Sequence, residues 1–87
     1  MGFLVREIQP TPNPNALKFV LDRPISERPT SFLHRDAANS DPLAAQLFAV
    51  PGVVSLLFLG DFVTINKSAD ARWADIKKTV EKILSGW

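Results

Sequence analysis

The feature that most restricts this chain is a double-proline step, Thr11-Pro12-Asn13-Pro14-Asn15, placed directly before an alternating run, Ala16-Leu17-Lys18-Phe19-Val20-Leu21. Pro12 and Pro14 each hold their own φ near about −65° and lack an N–H. They also turn Thr11 and Asn13 toward extended backbone, so no helix crosses the stretch. Asn13 and Asn15 suit turns because their short amides bond nearby backbone. Beyond them, Leu17, Phe19 and Leu21 alternate with Lys18 and Val20, the period of a strand with one buried face. A stiff polar elbow therefore runs straight into a core strand, and the elbow is the best candidate surface on the chain.

The remaining elements are placed around that pair. Phe3 to Gln9 reads as a strand, with Phe3 and Val5 on one face and Leu4 and Ile8 on the other. Arg6 and Glu7 leave the inner face undecided. The elbow is the right length for an antiparallel return, so this strand is expected to pair with Ala16–Leu21. From Arg23 to Asp41 the pattern is poor: Pro24 and Pro29 break regular structure. Thr30 to His34 forms at most a short strand with Phe32 inward, and Arg35 to Ser40 reads as polar, mobile loop.

Asp41-Pro42 marks a helix start, with an acceptor side chain at the cap and proline at the first position. Leu43, Leu47 and Val50 share its apolar face, with Ala44 and Phe48 beside them. Pro51-Gly52 stops it. Val53 to Leu59 is apolar except for Ser55, which suits a strand covered on both faces or central in its sheet. Gly60-Asp61 fits a type II′ turn into a returning strand, Phe62 to Lys67. Asp70 is placed to cap a last helix, Ala71 to Ser85, whose stripe is Trp73, Ile76, Val80, Ile83 and Leu84. Gly86 closes it. Hairpins mixed with lone helices predict an α+β fold: two layers, an antiparallel or mixed sheet of four to five strands, and two helices on one face.

Composition excludes several function classes. The 87 residues are expected to form a single domain, 1–87. There is no cysteine, so this chain offers no thiolate for an iron–sulfur cluster, a Cys-type zinc site or thiol catalysis. Ten basic residues face nine acidic ones, and no overall field favours nucleic acid or an anionic membrane. No apolar run approaches the roughly 18 residues of a membrane span. No charged segment followed by an apolar core marks a secretory signal, and Arg6 stands where N-myristoylation wants Ser or Thr. A cytoplasmic location is the expectation.

Few side chains offer chemistry. His34 is the one histidine; an acid–base pair or metal site with Asp36 is conceivable, but a lone histidine in a polar loop is ordinarily a solvated side chain. The glycines form no phosphate loop. Ser31, Ser40 and Ser55 have no base beside them in sequence. Arg72, Lys77, Lys78 and Lys82 make the last helix basic, yet Asp75 and Glu81 interleave, as on an ordinary solvated face. Trp87 extends the helical stripe and reads as a lid on the core. No residue is assigned a catalytic or metal-binding role. The elbow keeps two readings: fixing the start of a strand, or presenting the amides of Asn13 and Asn15 on a frame whose entropy is already lost, which lowers the cost of binding a partner.

The segment Thr11-Pro12-Asn13-Pro14-Asn15-Ala16-Leu17-Lys18-Phe19 resembles the hallmark of the N-terminal domain of Nfu-type (NifU-like) iron–sulfur cluster proteins. The similarity continues in Asp41-Pro42-Leu43-Ala44 with Leu47-Phe48, in Val50-Pro51-Gly52-Val53, in Gly60 to Lys67, and in Trp73 with Ile76-Lys77. It leaves out only Arg23–Ser40. The resemblance implies a compact α+β domain with an accessory role in cluster assembly or delivery. In that family a separate Cys-x-x-Cys domain holds the cluster, so no cofactor is expected on this chain's own residues. The implied partners are iron–sulfur client or assembly proteins and a NifU-like domain in cis or in trans, with neither nucleic acid nor membrane. The expected function is a non-enzymatic interaction module whose contact residues are Pro12, Asn13, Pro14, Asn15 and Lys18, with Asp61 and Phe62. The alternative is a free-standing peptide- or phosphopeptide-binding regulator that uses the basic helix face. An enzyme centred on His34 is the third class.

Overall fold

The computed structural model describes residues 2–87 and, at Arg35, the backbone alone. Its elements are β1 (Val5–Pro10), β2 (Ala16–Leu21), β3 (Ser26–Phe32), a 3-10 helix (Arg35–Ala38), α1 (Pro42–Phe48), β4 (Val53–Gly60), β5 (Phe62–Lys67) and α2 (Trp73–Ser85). The strands form one antiparallel sheet in the order β1-β2-β5-β4-β3. Phe19, Leu21, Phe32, Leu56, Phe58, Val63 and Ile65 point from it into one core cluster. Leu43, Ala44, Leu47 and Phe48 of α1 and Ile76, Val80 and Leu84 of α2 enter the same cluster. Both helices therefore cover one face, and the expected α+β fold is the observed one.

Its details differ from the sequence reading in four places. In β1, Val5 pairs with Leu21, Glu7 with Val20 and Ile8 with Phe19. Arg6 is thus the extra residue of a bulge, which turns Val5 and Ile8 to the same side. Both pack against the core with Phe3, so the expected opposition of Val5 and Ile8 does not occur.

The second difference is the weak middle stretch. β3 begins at Ser26, not Thr30, and runs to Phe32; Arg35–Ala38 is a 3-10 helix rather than loop. β3 is an edge strand, where a proline costs no ladder bond, and Pro29 lies in its irregular part between Ser26 and Thr30. Phe32 does point inward and meets Phe58 edge-on at 5.2 Å between ring centres.

The third is β4. It lies between β5 and β3, and β5 is central. Leu56 and Phe58 are buried, whereas Leu57 and Leu59 are half-buried on the face away from the helices. Among the described residues no element covers that side, so the apolar run is not explained by burial on both faces.

The fourth is α2. Arg72 occupies its N-cap and no side chain caps it, so Asp70 does not serve as expected. At α1 the expected cap is present: Ala44 N–H donates to Asp41 Oδ1 at 3.0 Å, with Pro42 at the first turn.

Both turns around β4 use glycine. Gly52 has φ +95° and leads α1 into β4; a Cβ there would lie 2.6 Å from that of Ala71. Gly60 has φ +56°. Leu59 pairs with Phe62 across a two-residue loop, and no non-glycine residue has positive φ among the described residues. That pattern fits type II′ and excludes I′, which needs two positive φ values.

Candidate functional site

The elbow is locked by its own short-range bonds. The Thr11 hydroxyl lies 2.9 Å from the Asn13 carbonyl and 3.0 Å from that of Ala16, and accepts the Asn13 N–H at 3.2 Å. Asn15 N–H donates to Asn13 Oδ1 at 2.9 Å. Ala16 N–H donates to the Asn13 carbonyl at 3.0 Å, closing a turn with Pro14 at its favoured second position.

Two distant residues then pin the elbow to the body of the protein. Lys67 donates its N–H to the Asn15 carbonyl at 2.8 Å and its ammonium to Asn15 Oδ1 at 2.9 Å. Trp73, at the start of α2, donates its indole N–H to the Pro14 carbonyl at 3.1 Å. The Lys67 ammonium stands 5.8 Å from the Trp73 ring centre. Pro12, Asn13 and Pro14 are nonetheless exposed, and Asn15 is half-buried. Both carboxamide oxygens are thus committed internally. Among the described residues the Nδ2 groups of Asn13 and Asn15 have no such partner and remain available as donors.

The other expected contact residues lie elsewhere. Lys18 is on the sheet face away from the helices, its ammonium 4.1 Å from the Phe62 ring centre. Asp61 is exposed in the β4–β5 turn, and its carbonyl accepts the Leu21 N–H at 2.7 Å. Ala16 pairs with Asn66 at the elbow end of the ladder and Val20 with Phe62 at the far end, a separation of about 13 Å. The seven residues therefore make two places: the elbow, and a strip from Lys18 through Phe62 to Asp61.

Lys67 and Trp73 are the residues that sequence reasoning missed. They meet the elbow across 52 and 59 positions, beyond any local pattern; Trp73 read simply as part of an apolar stripe.

At the far end of β2, Leu4 N–H donates to Asp22 Oδ1 at 2.9 Å. That bond, working against desolvation and aided by the nearby Arg23 charge, holds the Asp22 carboxyl below its ordinary value of 3.8. Arg23 Nε is 3.7 Å from the same carboxylate, and its guanidinium also reaches the Gly2 carbonyl and lies over Phe3.

His34 is exposed. Among the described residues no three His, Cys, Asp or Glu side chains converge for a metal. A cleft of about 560 Å³ lies between Val50–Gly52 and the start of α2, walled by Asp70, Arg72 and Asp75. On the outer side of α2, Arg72, Lys78 and Lys82 are exposed together with Asp75 and Glu81, a mixed rather than a basic surface.

Residues 5–87 match the family model described as scaffold protein Nfu/NifU N terminal. NifU-like protein 5, mitochondrial, of Arabidopsis thaliana is 39% identical over 79 residues, covering 90% of this chain and 29% of that protein. The human NFU1 iron-sulfur cluster scaffold homolog, mitochondrial, is 44% identical over 66 residues, covering 75% of this chain and 26% of that one. The chain thus spans less than a third of the length of these curated relatives. The solution structure of a NifU-like protein from Saccharomyces cerevisiae superposes with a TM-score of 0.83 at 33% identity, over 95% of this chain and 77% of that one. The mitochondrial relatives overturn the expected cytoplasmic location. Lack of a secretory signal separates neither compartment from the other, because organelle import reads a different kind of segment. On the family match and these identities, the chain belongs to the Nfu/NifU N-terminal scaffold family.

Proposed function

We propose that residues 1–87 work as one non-enzymatic interaction domain, supporting iron–sulfur cluster assembly or delivery by binding client or assembly proteins. The observation that carries this reading is the elbow. Lys67 and Trp73 fix its backbone while Pro12, Asn13 and Pro14 remain exposed. Such a frame has little conformational freedom left to lose on association. Its rigid imide rings and free amide donors suit a protein surface rather than a reaction.

The cluster is cargo in this scheme. The chain has no cysteine, and the described residues hold no converging set of three metal-ligating groups. They do not fit cluster ligation, so ligation falls to a cysteine-bearing domain, in cis or in trans. The names of the relatives support the setting, since several are called iron-sulfur cluster scaffolds.

The test is amide mapping. Isotopically labelled protein is titrated with an iron–sulfur client apoprotein and, separately, with a cysteine-bearing NifU-like domain. Saturable shifts at residues 11–18 are expected. Binding that leaves both 11–18 and 60–62 unmoved would show the contact residues to be wrongly chosen. No binding to either protein would remove the interaction role itself.

A further inference from the structure

The uncovered face of the sheet carries a patch whose composition is unusual for a solvated surface. Val20 of β2 pairs with Phe62 of β5, and Phe62 pairs with Leu59 of β4. Leu57 stands two residues before Leu59 on the same side. An antiparallel sheet with one wet face normally alternates apolar-in with polar-out. Here three adjacent strands place large apolar side chains outward, all four half-buried.

A cation, Lys18, borders the patch. Lys18 leans on Phe62 and forms no ion pair among the described residues. Glu7 lies opposite Val20 on this face, and its carboxylate accepts a bond from Gln9 Nε2 at 2.9 Å.

From these features we infer that the face receives an amphipathic helix of a partner protein, with a carboxylate bordering its apolar stripe to meet Lys18. The inference deepens the proposed interaction role and rests on it. Three physical points select this occupant. The patch crosses three strands, about 10 Å, which is the width of one helix, about 10 Å. An extended peptide would add to a sheet edge instead, and the patch lies on β2, β5 and β4, inside the edges β1 and β3. A second copy of the chain is disfavoured by area. A strip about 10 Å by 15 Å is far below the roughly 800 Å² per partner of a stable dimer.

Two synthetic peptides test this. Both are helix-forming, about 16 residues or four turns long, with leucines at i, i+3, i+4 and i+7. One carries Glu along the stripe border, and the other Lys at the same positions. The Glu peptide is expected to shift amides of residues 18–20, 55–59 and 62–64, leaving 11–15 and α2 unmoved. Lys18→Glu should weaken it by about fivefold, the scale of an exposed charge pair, and should strengthen the Lys peptide. Leu59→Asp, on the outward side, should abolish binding with the amide spectrum otherwise native.

Equal binding of both peptides, indifference to Lys18→Glu, or shifts confined to other surfaces would overturn the inference. So would sedimentation showing a dimer formed through these same residues. Cluster-delivery partners that move the elbow while the Glu peptide leaves the face silent would remove this inference alone. A responsive face beside an elbow that ignores those partners would remove the elbow assignment instead.

Discussion

Asp22 accepts the Leu4 N–H through its carboxylate, and this ties the bond to acidity. The folded carboxyl titrates below its ordinary 3.8, so its stabilising contribution is fully present above that value. The contribution is lost as pH falls through the lowered folded value. Thermal midpoints measured from pH 5 downward should therefore fall more steeply for the native chain than for Asp22→Asn, whose amide does not titrate. Parallel curves would mean that the bond adds nothing. The two turn glycines allow a second comparison at this scale. Gly60 has no heavy atom within 4 Å of an added Cβ, so Gly60→Ala meets only the left-handed backbone penalty, about 1–2 kcal/mol. Gly52→Ala meets a similar penalty and also the Ala71 side chain at 2.6 Å. Urea unfolding should rank it as the more damaging of the pair.

Among the elements, those with a local signal were readable. The Asp41-Pro42 start of α1 predicts a side-chain cap, and the Ala44 N–H bond supplies it. Asp41→Ala should cost about 1 kcal/mol, measured by urea denaturation; α2, which has no side-chain cap at Arg72, offers no equivalent site. The alternation in β2 and β5 was legible because one face of each is buried. β3 was not, because its polar residues and Pro29 suit an edge, where half the backbone needs no partner. The β1 bulge was hidden for another reason: an inserted residue shifts the period by one, and no side chain announces it. Arg6 looks like any outward residue until Val5 and Ile8 are seen on the same side.

For the whole molecule, the α+β arrangement followed from chain order, since neighbouring strands joined by short turns pair with each other. The contact between the two hairpins, β2 against β5, joins residues far apart in sequence and has no such local sign. The same distance concealed half of the candidate site: the elbow was visible, its anchors were not. The one-sided cover of the sheet makes a quantitative prediction. Leu56 is 2% exposed on the helix side, and Leu56→Ala should cost about 2–5 kcal/mol. Leu57, its neighbour on the bare side, should lose about 1 kcal/mol or less as Leu57→Thr. Equal losses in urea unfolding would mean that both faces are sealed.

The indole of Trp73 bonded to Pro14 gives this protein a built-in optical gauge. Emission from that ring should respond when a ligand tugs on the proline hinge, and Trp87→Phe would silence the only other indole. A fluorescence titration of that single-tryptophan variant should change colour or intensity on occupancy of the hinge and stay flat when only the bare side of the sheet is engaged.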